Sequence, residues 1–329
     1  MEQFTITFLG TGNAVPTKLR NHTAILIEFL NEHILLDCGE GTQRQFKIAG
    51  LSPARLTRLL ITHWHGDHVL GIPGLFQTLA MVEYAKILEI YGPRNTSKYI
   101  SLLQEIFHEF KISKQVHEVS DMENSGYRLH NQQNSPDREF YKKLEKIKRI
   151  PCIFVDTPSY CIEAAAMNHG TPTNAYSIIL KDRRRLDKAK LRKLKLPNTP
   201  QLGELQAGKD IIFEGKKIKA KDVSYIEKGK KITIILDTGL TDAAIKLAKN
   251  SDLLICESTF SNEEKEKAKE YLHLTSVDAA TIAKKAKVKS LILTHISQRY
   301  EHALHIIEKE ARKVFKNTSI VKDYDTVTV

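Results

Sequence analysis

Residues 62–68 read Thr62-His63-Trp64-His65-Gly66-Asp67-His68, and they follow directly on the apolar run Leu59-Leu60-Ile61. The pattern predicts a strand that ends in a sharp turn, where three imidazoles and one carboxylate converge. Imidazole nitrogens and carboxylate oxygens suit zinc and similar divalent ions. The alternative is a cluster of histidines on a solvated surface, but the spacing His-x-His-x-Asp-His at a strand end favours a metal site.

Three further candidate ligands follow mostly apolar runs elsewhere in the chain. His169 comes after residues 162–167, Asp237 after residues 232–236, and His295 after residues 291–294. Because α/β folds place their chemistry where buried strands emerge, we expect these residues to join the cluster. The predicted metal ligands are His63, His65, Asp67, His68, His169, Asp237 and His295.

Seven ligands are too many for one tetrahedral ion, so the set predicts a pair of metals. If Asp237 bridges, each metal has four protein ligands. One metal then takes His63, His65, His169 and Asp237, and the other takes Asp67, His68, His295 and Asp237. A hydroxide held between two metals about 3.5–4 Å apart is a nucleophile at neutral pH. The residues therefore indicate a two-metal hydrolase.

The composition is typical of a soluble globular protein, with 329 residues of which 41% are hydrophobic and 27% charged. No apolar stretch approaches the roughly 18–20 residues of a membrane span, and the strand-like start indicates no signal peptide. The four cysteines lie far apart, which argues against a disulfide framework. We therefore expect a cytoplasmic protein with no membrane association.

Positive charge is concentrated in one segment, residues 181–231, which we call the basic arm. It holds 17 Lys and Arg against 7 Asp and Glu, a net charge of +10 out of +11 for the chain. A concentrated excess favours a polyanionic partner, and a solvated lysine-rich surface is the alternative. The segment lacks a long apolar face and contains a helix-like stretch at 186–194, so we predict a protrusion. Residues 121–149 are predicted to be an insertion or mobile loop, because polar turn residues interrupt the pattern there.

The chain resembles the ribonuclease Z family of the metallo-β-lactamase superfamily in motifs spread along its length. The motifs are residues 9–12, 15–21, 37–45, 65–75, 273–276 and 293–300. The resemblance implies an α/β fold, a four-layer αβ/βα metallo-β-lactamase sandwich, formed by a single domain over residues 1–329. It further implies two zinc ions per subunit, with manganese as the alternative, and a homodimer. Precursor tRNA would be the partner, and the protruding basic arm would clamp it.

The activity implied by the resemblance is an endoribonuclease that removes the 3′ trailer of precursor tRNA by hydroxide attack on a phosphodiester. Asp67 would orient or deprotonate the attacking water, and His273 would give a proton to the leaving 3′ oxygen. The alternative for His273 is a neighbour of a helix cap. Glu257 would orient a histidine or, as the alternative, cap a helix. Expected phosphate contacts are Lys18, Arg20 and Arg299, with Arg183, Arg184, Arg185, Lys188, Arg192 and Lys193 on the basic arm.

Two other functions remain compatible with the residues. A small-molecule phosphodiesterase of the same superfamily would share the metal site but would have no use for the basic arm. A catalytically dead RNA-binding protein would keep the basic arm, but it would not need all seven ligands and His273.

Overall fold

The computed structural model describes residues 3–107, 111–119 and 151–329. These residues form two compact units, one from residues up to 155 with 162–178 and 231–329, the other from 156–161 and 179–230. The basic arm lies in the second unit except for its last residue. The insertion predicted at 121–149 lies outside the described residues. The assignment of all 329 residues to one domain stays a prediction.

Two seven-stranded sheets dominate the structure, with strands numbered in chain order. The first has the order β18-β1-β2-β3-β4-β5-β6, and the second has the order β17-β16-β15-β14-β9-β8-β7. The strands of the first are β1 (Thr5–Gly10), β2 (Ala24–Phe29), β3 (Glu32–Leu36), β4 (Arg58–Leu60), β5 (Leu88–Gly92), β6 (Lys114–Glu118) and β18 (Thr326–Thr328). Those of the second are β7 (Cys152–Asp156), β8 (Tyr160–Ala166), β9 (Asn174–Leu180), β14 (Lys231–Ile235), β15 (Leu253–Glu257), β16 (Ser290–Thr294) and β17 (Thr318–Ile320).

The first unit also contains α-helices. Its α-helices are α1 (Thr42–Ile48), α2 (Gly66–Val69), α3 (Ile72–Met81), α4 (Thr96–Phe107), α7 (Asp242–Leu247), α8 (Lys265–Glu270), α9 (Ser276–Ala286) and α10 (Leu304–Val314). Short 3-10 turns occupy Pro53–Arg55, Asn262–Glu264 and Gln298–Tyr300. Among the described residues, no helix has the length and apolarity needed to cross a bilayer.

The central strands of both sheets are largely buried, as continuous apolar runs predict, whereas the edge strands β6, β7 and β18 are more exposed. Helices α1, α3 and α4 pack on the first sheet, where Phe46 and Phe76 are fully buried with Leu35. Helices α7, α9 and α10 pack in the same way on the second sheet. The faces of the two sheets that carry no helices pack against each other. There the Tyr176 hydroxyl of β9 donates to the Ile61 carbonyl, which follows β4, at 2.7 Å. The expected four-layer αβ/βα sandwich is therefore confirmed.

The second unit is built from short elements. Strand β10 (Arg183–Leu186) pairs with β13 (Ser224–Glu227), and β11 (Ile211–Phe213) pairs with β12 (Lys216–Ile218). Its helices are α5 (Lys188–Lys193) and α6 (Gln201–Gln206), with a 3-10 turn at Ala220–Asp222. The helix expected at 186–194 is shorter, because the Asp187 carboxylate accepts from the amides of Ala189 and Lys190 and caps α5.

The basic arm has an apolar interior, although its sequence shows no long apolar face. Leu191, Leu205, Ile211 and Val223 are buried together, with other apolar side chains packed around them. These residues come from separate short elements, so no helical or strand period reveals them. The unit therefore holds its own shape while presenting its lysines and arginines.

Candidate metal centre

Ends of strands in the first unit position the predicted ligands. His63 follows β4, His169 follows β8, Asp237 follows β14 and His295 directly follows β16. The ligand atoms fall into two groups, each with its atoms within 4.8 Å of one another. The groups are His63, His65, His169 and Asp237, and Asp67, His68, Asp237 and His295. This division is the one expected from the sequence.

Asp237 belongs to both groups, and its two carboxylate oxygens face different histidines. Oδ2 lies 3.6 Å from His63 Nε2 and 3.4 Å from His169 Nε2. Oδ1 lies 3.5 Å from His68 Nε2 and 3.2 Å from His295 Nε2. One oxygen is thus directed to each group, which is the arrangement of a bridging ligand.

Buried polar atoms at this point lack hydrogen-bond partners. Within the described part of the chain, these include the Nε2 atoms of His63, His68 and His295, and Oδ1 of Asp237. Leaving such a group unsatisfied costs about 1–3 kcal/mol, so four around one point call for a shared cation. The donor set of imidazoles and carboxylates fits a divalent metal. The structure thus supports a divalent metal site here.

Asp67 and His65 lie at the more open side of the centre. Asp67 Oδ2 is 3.4 Å from His68 Nε2 and 3.5 Å from His295 Nε2. Burial raises the pKa of the Asp67 carboxyl, but the close approach and the charges of His295 and His68 hold that pKa below its usual range. His65 is exposed, and its Nδ1 lies 3.1 Å from His169 Nε2. Solvent and substrate can therefore reach the centre from this side.

Asp37, directly after β3, orients two of the histidines. Its Oδ2 accepts a hydrogen bond from His68 Nδ1 at 2.6 Å and another from the Thr62 hydroxyl at 2.7 Å. The Thr62 hydroxyl oxygen in turn lies 3.0 Å from His63 Nδ1. We assign the hydrogen to Nδ1, so that His63 donates to Thr62. Both rings are thereby held with Nε2 turned inward, the function that outer partners of metal-bound histidines serve.

Glu257, the last residue of β15, repeats the arrangement on the other side. Its carboxylate lies 3.1 Å from His273 Nδ1 and accepts from the Thr259 hydroxyl at 2.7 Å. The Thr259 oxygen lies 2.9 Å from His295 Nδ1. Each carboxylate therefore binds one histidine directly and a second one through a threonine.

These contacts bear on the alternatives for Glu257 and His273. The cap of α9 is formed by Thr275 with Asp278, whereas Glu257 caps no helix and instead binds the His273 imidazole. Burial lowers the pKa of His273. The negative charge of Glu257 and its hydrogen bond with the imidazole outweigh this effect and raise the pKa of His273 to about 9. His273 therefore lies beside His169 and His295 with its outer nitrogen fixed.

Leu272 has a strained backbone conformation and contacts two loops of the centre. Its φ of 55° lies in the left-handed region, where glycine is usual after a helix such as α8. Its carbonyl lies 3.1 Å from His169 Nδ1. Its side chain packs over Gly170 and Gly239, which follow two of the ligands. Backbone strain of this kind concentrates at functional sites.

Trp64 lies within the motif of residues 62–68 and links the loop that carries His63 and His65 to α4. Its indole Nε1 donates to the Thr96 hydroxyl at 2.9 Å, and its ring centroid is 4.9 Å from that of Tyr99. The sequence assigned no role to Trp64, Asp37, Thr62, Thr259 or Leu272. For Asp37 alone a signal existed, since it follows a buried strand as the ligands do.

The expected phosphate contacts of the first unit differ in exposure. Lys18 is exposed, and Arg299 is half-exposed with its Nη1 bound to Glu264 at 3.1 Å. Arg20 is buried, and its Nη1 donates to the Thr11 hydroxyl and the Val321 carbonyl. The structure thus argues against Arg20 as an exposed phosphate contact, because its guanidinium is used within the fold.

The basic arm residues also fall into two classes. Arg184 Nη1 donates to Ser224 at 2.8 Å, Arg185 pairs with Glu227 at 2.7 Å, and Arg183 lies on the same strand, β10. Lys188, Arg192 and Lys193 are exposed on helix α5. The helix therefore presents the more accessible charges.

Comparison with protein families gives one partial match. The family model described as "Anti-Pycsar protein Apyc1" matches residues 4–104. It covers β1 to the greater part of α4, including the opening motif.

Comparison with whole proteins gives matches along the full chain. "Ribonuclease Z" of Enterococcus faecalis is 36% identical over 332 residues, covering 98% of this chain and 97% of that protein. "Ribonuclease Z" of Methanothermobacter thermautotrophicus is also 36% identical, over 98% of this chain and 96% of its own. Among solved structures, human tRNase Z, short form (ELAC1), superposes with a TM-score of 0.66 at 26% identity over 98% of both chains. The metallo-beta-lactamase fold protein YhfI from Bacillus subtilis, at 18% identity over all of both chains and a TM-score of 0.66, supports the fold.

Proposed function

The chain belongs to the ribonuclease Z family, and from this we propose that it is an endoribonuclease that removes the 3′ trailer of precursor tRNA. The observation that carries the proposal is Asp237, whose two oxygens are directed to two separate groups of histidines. A paired metal centre of this kind is suited to hydrolysis of a phosphodiester.

We propose two zinc ions as the resident metals, with manganese as a substitute. The first would be held by His63, His65, His169 and Asp237, and the second by Asp67, His68, His295 and Asp237. When bound, the pair supplies a hydroxide at neutral pH and neutralises charge on the phosphoryl oxygens. The five imidazoles among these ligands favour zinc over magnesium, which prefers oxygen ligands.

The side chains of the centre would divide the remaining work. Asp67, which is ionised, would accept a hydrogen bond from the attacking water and orient it. As the water oxygen bonds to phosphorus, the water would lose a proton to Asp67, and the bond from phosphorus to the 3′ oxygen breaks. His273, oriented by Glu257, would donate a proton to that leaving oxygen. The products are a 3′ hydroxyl on the tRNA and a 5′ phosphate on the trailer.

The basic arm would bind tRNA through its phosphates and A-form shape. Deletion of residues 183–205 tests this poorly, because it also removes Leu191 and Leu205 from the apolar interior of the unit. Replacing Lys188, Arg192 and Lys193 by Ala is cleaner, since all three are exposed. We expect weaker binding of precursor tRNA and a shallower dependence of affinity on salt, with unchanged hydrolysis of bis-p-nitrophenyl phosphate. Equal loss of both activities would contradict this role.

We further propose a homodimer in the cytoplasm. The dimer follows from the resemblance to the ribonuclease Z family and is tested by light scattering of the purified protein. The compartment is supported by the wide spacing of the four cysteines along the chain, which argues against a disulfide framework.

One assay separates the proposal from its rivals. The purified protein is incubated with a 3′-extended precursor tRNA and Zn²⁺ or Mn²⁺, and the cut is mapped. We expect cleavage near the discriminator nucleotide. Turnover of cyclic nucleotides without tRNA cleavage would identify a small-molecule phosphodiesterase. tRNA binding without bound metal or cleavage would identify a catalytically dead RNA-binding protein.

A further inference from the structure

We propose that Tyr271 and Arg299 form a subsite for the nucleotide that carries the leaving 3′ oxygen, with the base stacked on the tyrosine ring. The inference rests on the proposed function and specifies how the substrate is held at the cut. It concerns side chains outside the two metal-ligand groups, and of these only Arg299 has a role above, as an expected phosphate contact.

Phe260 connects these residues to His273. The centroid of its ring lies 6.1 Å from that of His273 and 6.5 Å from that of Tyr271, whose plane is inclined to it by 17°. The guanidinium carbon of Arg299 lies 5.5 Å from the same centroid. Phe260 is buried, whereas Tyr271 is 57% exposed and Arg299 is half-exposed. The cluster therefore runs from the proposed proton donor out to solvent.

The backbone beside the tyrosine ring is held by contacts to the metal centre. The Tyr271 amide donates to the Lys267 carbonyl at 2.9 Å, at the end of α8. The next residue, Leu272, binds His169 through its carbonyl, and the residue after that is His273. A flat apolar surface is thus presented at a defined place beside His273, which is a requirement for an effective stacking platform.

A nucleotide matches this surface in chemistry. Every base has a π face that stacks on an exposed aromatic ring, and its phosphate is attracted by a guanidinium. Glu264 holds Arg299 by one nitrogen, which limits the motion of the guanidinium. Stacking tolerates any base, as expected of an enzyme whose substrates differ in sequence at the cut.

The side of the cut follows from the role of His273. Its proton goes to the 3′ oxygen of the nucleotide that stays with the tRNA. Because the Phe260 ring lies near both His273 and Tyr271, we assign the stacked base to that nucleotide, and not to the first nucleotide of the trailer.

The test measures kcat/KM for cleavage of three precursor tRNAs. One is unmodified, one has an abasic nucleotide immediately 5′ of the cut, and one has it immediately 3′ of the cut. The enzymes are the wild type, Tyr271→Ala and Tyr271→Phe, with Tyr324→Ala as the control because Tyr324 is another exposed tyrosine of the same unit, at 38% against 57% for Tyr271. Metal content is measured for each.

We expect Tyr271→Ala to lower kcat/KM on the unmodified substrate by about 5- to 100-fold, while Tyr271→Phe stays within about twofold of the wild type. The 5′ abasic substrate should remove the difference between wild type and Tyr271→Ala, and the 3′ abasic substrate should preserve it. Tyr324→Ala should show no such coupling.

The same factor of loss on all three substrates would overturn the subsite, since a distorted fold lowers every rate equally. Loss of the difference only on the 3′ abasic substrate would overturn the assignment to the leaving nucleotide. Failure of the wild type to cut unmodified precursor tRNA is a separate result, which refutes the proposed function itself.

Discussion

Replacing Asp37 by Asn tests whether the outer carboxylates set the metal affinity. Asp37 Oδ2 accepts from both His68 Nδ1, at 2.6 Å, and the Thr62 hydroxyl, at 2.7 Å, while Oδ1 accepts from the Thr62 amide at 2.7 Å. An asparagine of the same volume has only one oxygen. Its amide nitrogen must therefore face at least one of these donors.

The expected effect is a loss of metal affinity with the fold retained. Mutation of such outer partners typically weakens metal binding by about 10- to 100-fold, equivalent to about 1.4–2.8 kcal/mol. Titration of the protein against a chelator of known affinity, followed by elemental analysis, measures this directly. The loss of kcat on precursor tRNA should follow the loss of metal and recover at high metal concentration.

Asp323→Asn is the matched control. Asp323 also accepts several hydrogen bonds, from the Thr11 hydroxyl at 2.6 Å and the Asn21 amide at 2.7 Å among others, and these partners are not metal ligands. We expect it to leave metal affinity unchanged. If Asp37→Asn retained wild-type affinity, or lost no more than Asp323→Asn, the reasoning about outer carboxylates would be refuted.

Four further outcomes are expected. Glu257→Gln should lower kcat on precursor tRNA by about 10²- to 10⁴-fold with little change in KM, because His273 loses its orienting charge. Thr259→Val should weaken metal binding, and Thr259→Ser should restore it. Metal titration measures the affinity of both Thr259 variants. Asp237→Ala should leave less than one metal per chain by elemental analysis, whereas His65→Ala should retain about one, since only Asp237 is shared by both groups. Removal of metal by a chelator should lower the midpoint of thermal unfolding, as about 4 kcal/mol of stabilisation is lost when the metal had been present at about 1,000 times its Kd; an unchanged midpoint would argue that the centre does not bind metal in the folded state.

The metal centre was more predictable than the contacts that support it. His169, Asp237 and His295 could be placed because strand ends leave a local signal, an apolar run followed by a ligand. The link from Glu257 through Thr259 to His295 joins residues whose proximity depends on the pairing of β15 with β16. No local pattern reports such a contact, so only Glu257 was anticipated.

The interior of the basic arm illustrates a different limit. Its apolar residues are spread over α5, α6 and three short strands, each too short to show a period. Because charged residues dominate the composition of the segment, its few leucines and isoleucines did not indicate an apolar interior. Arg20 shows the same problem for a single residue, since neither charge nor motif indicated that it is buried.

The contact of Trp64 with α4 has a practical consequence, because this is the chain's one tryptophan. In the sequence Trp64 lies between two predicted ligands, His63 and His65, and its indole packs against Tyr99. Intrinsic fluorescence excited at the tryptophan band therefore reports on the loop that carries the metal, with no label and no competing emission from a second indole. Binding of metal to the ligands on this loop can therefore be followed in real time on the unmodified protein.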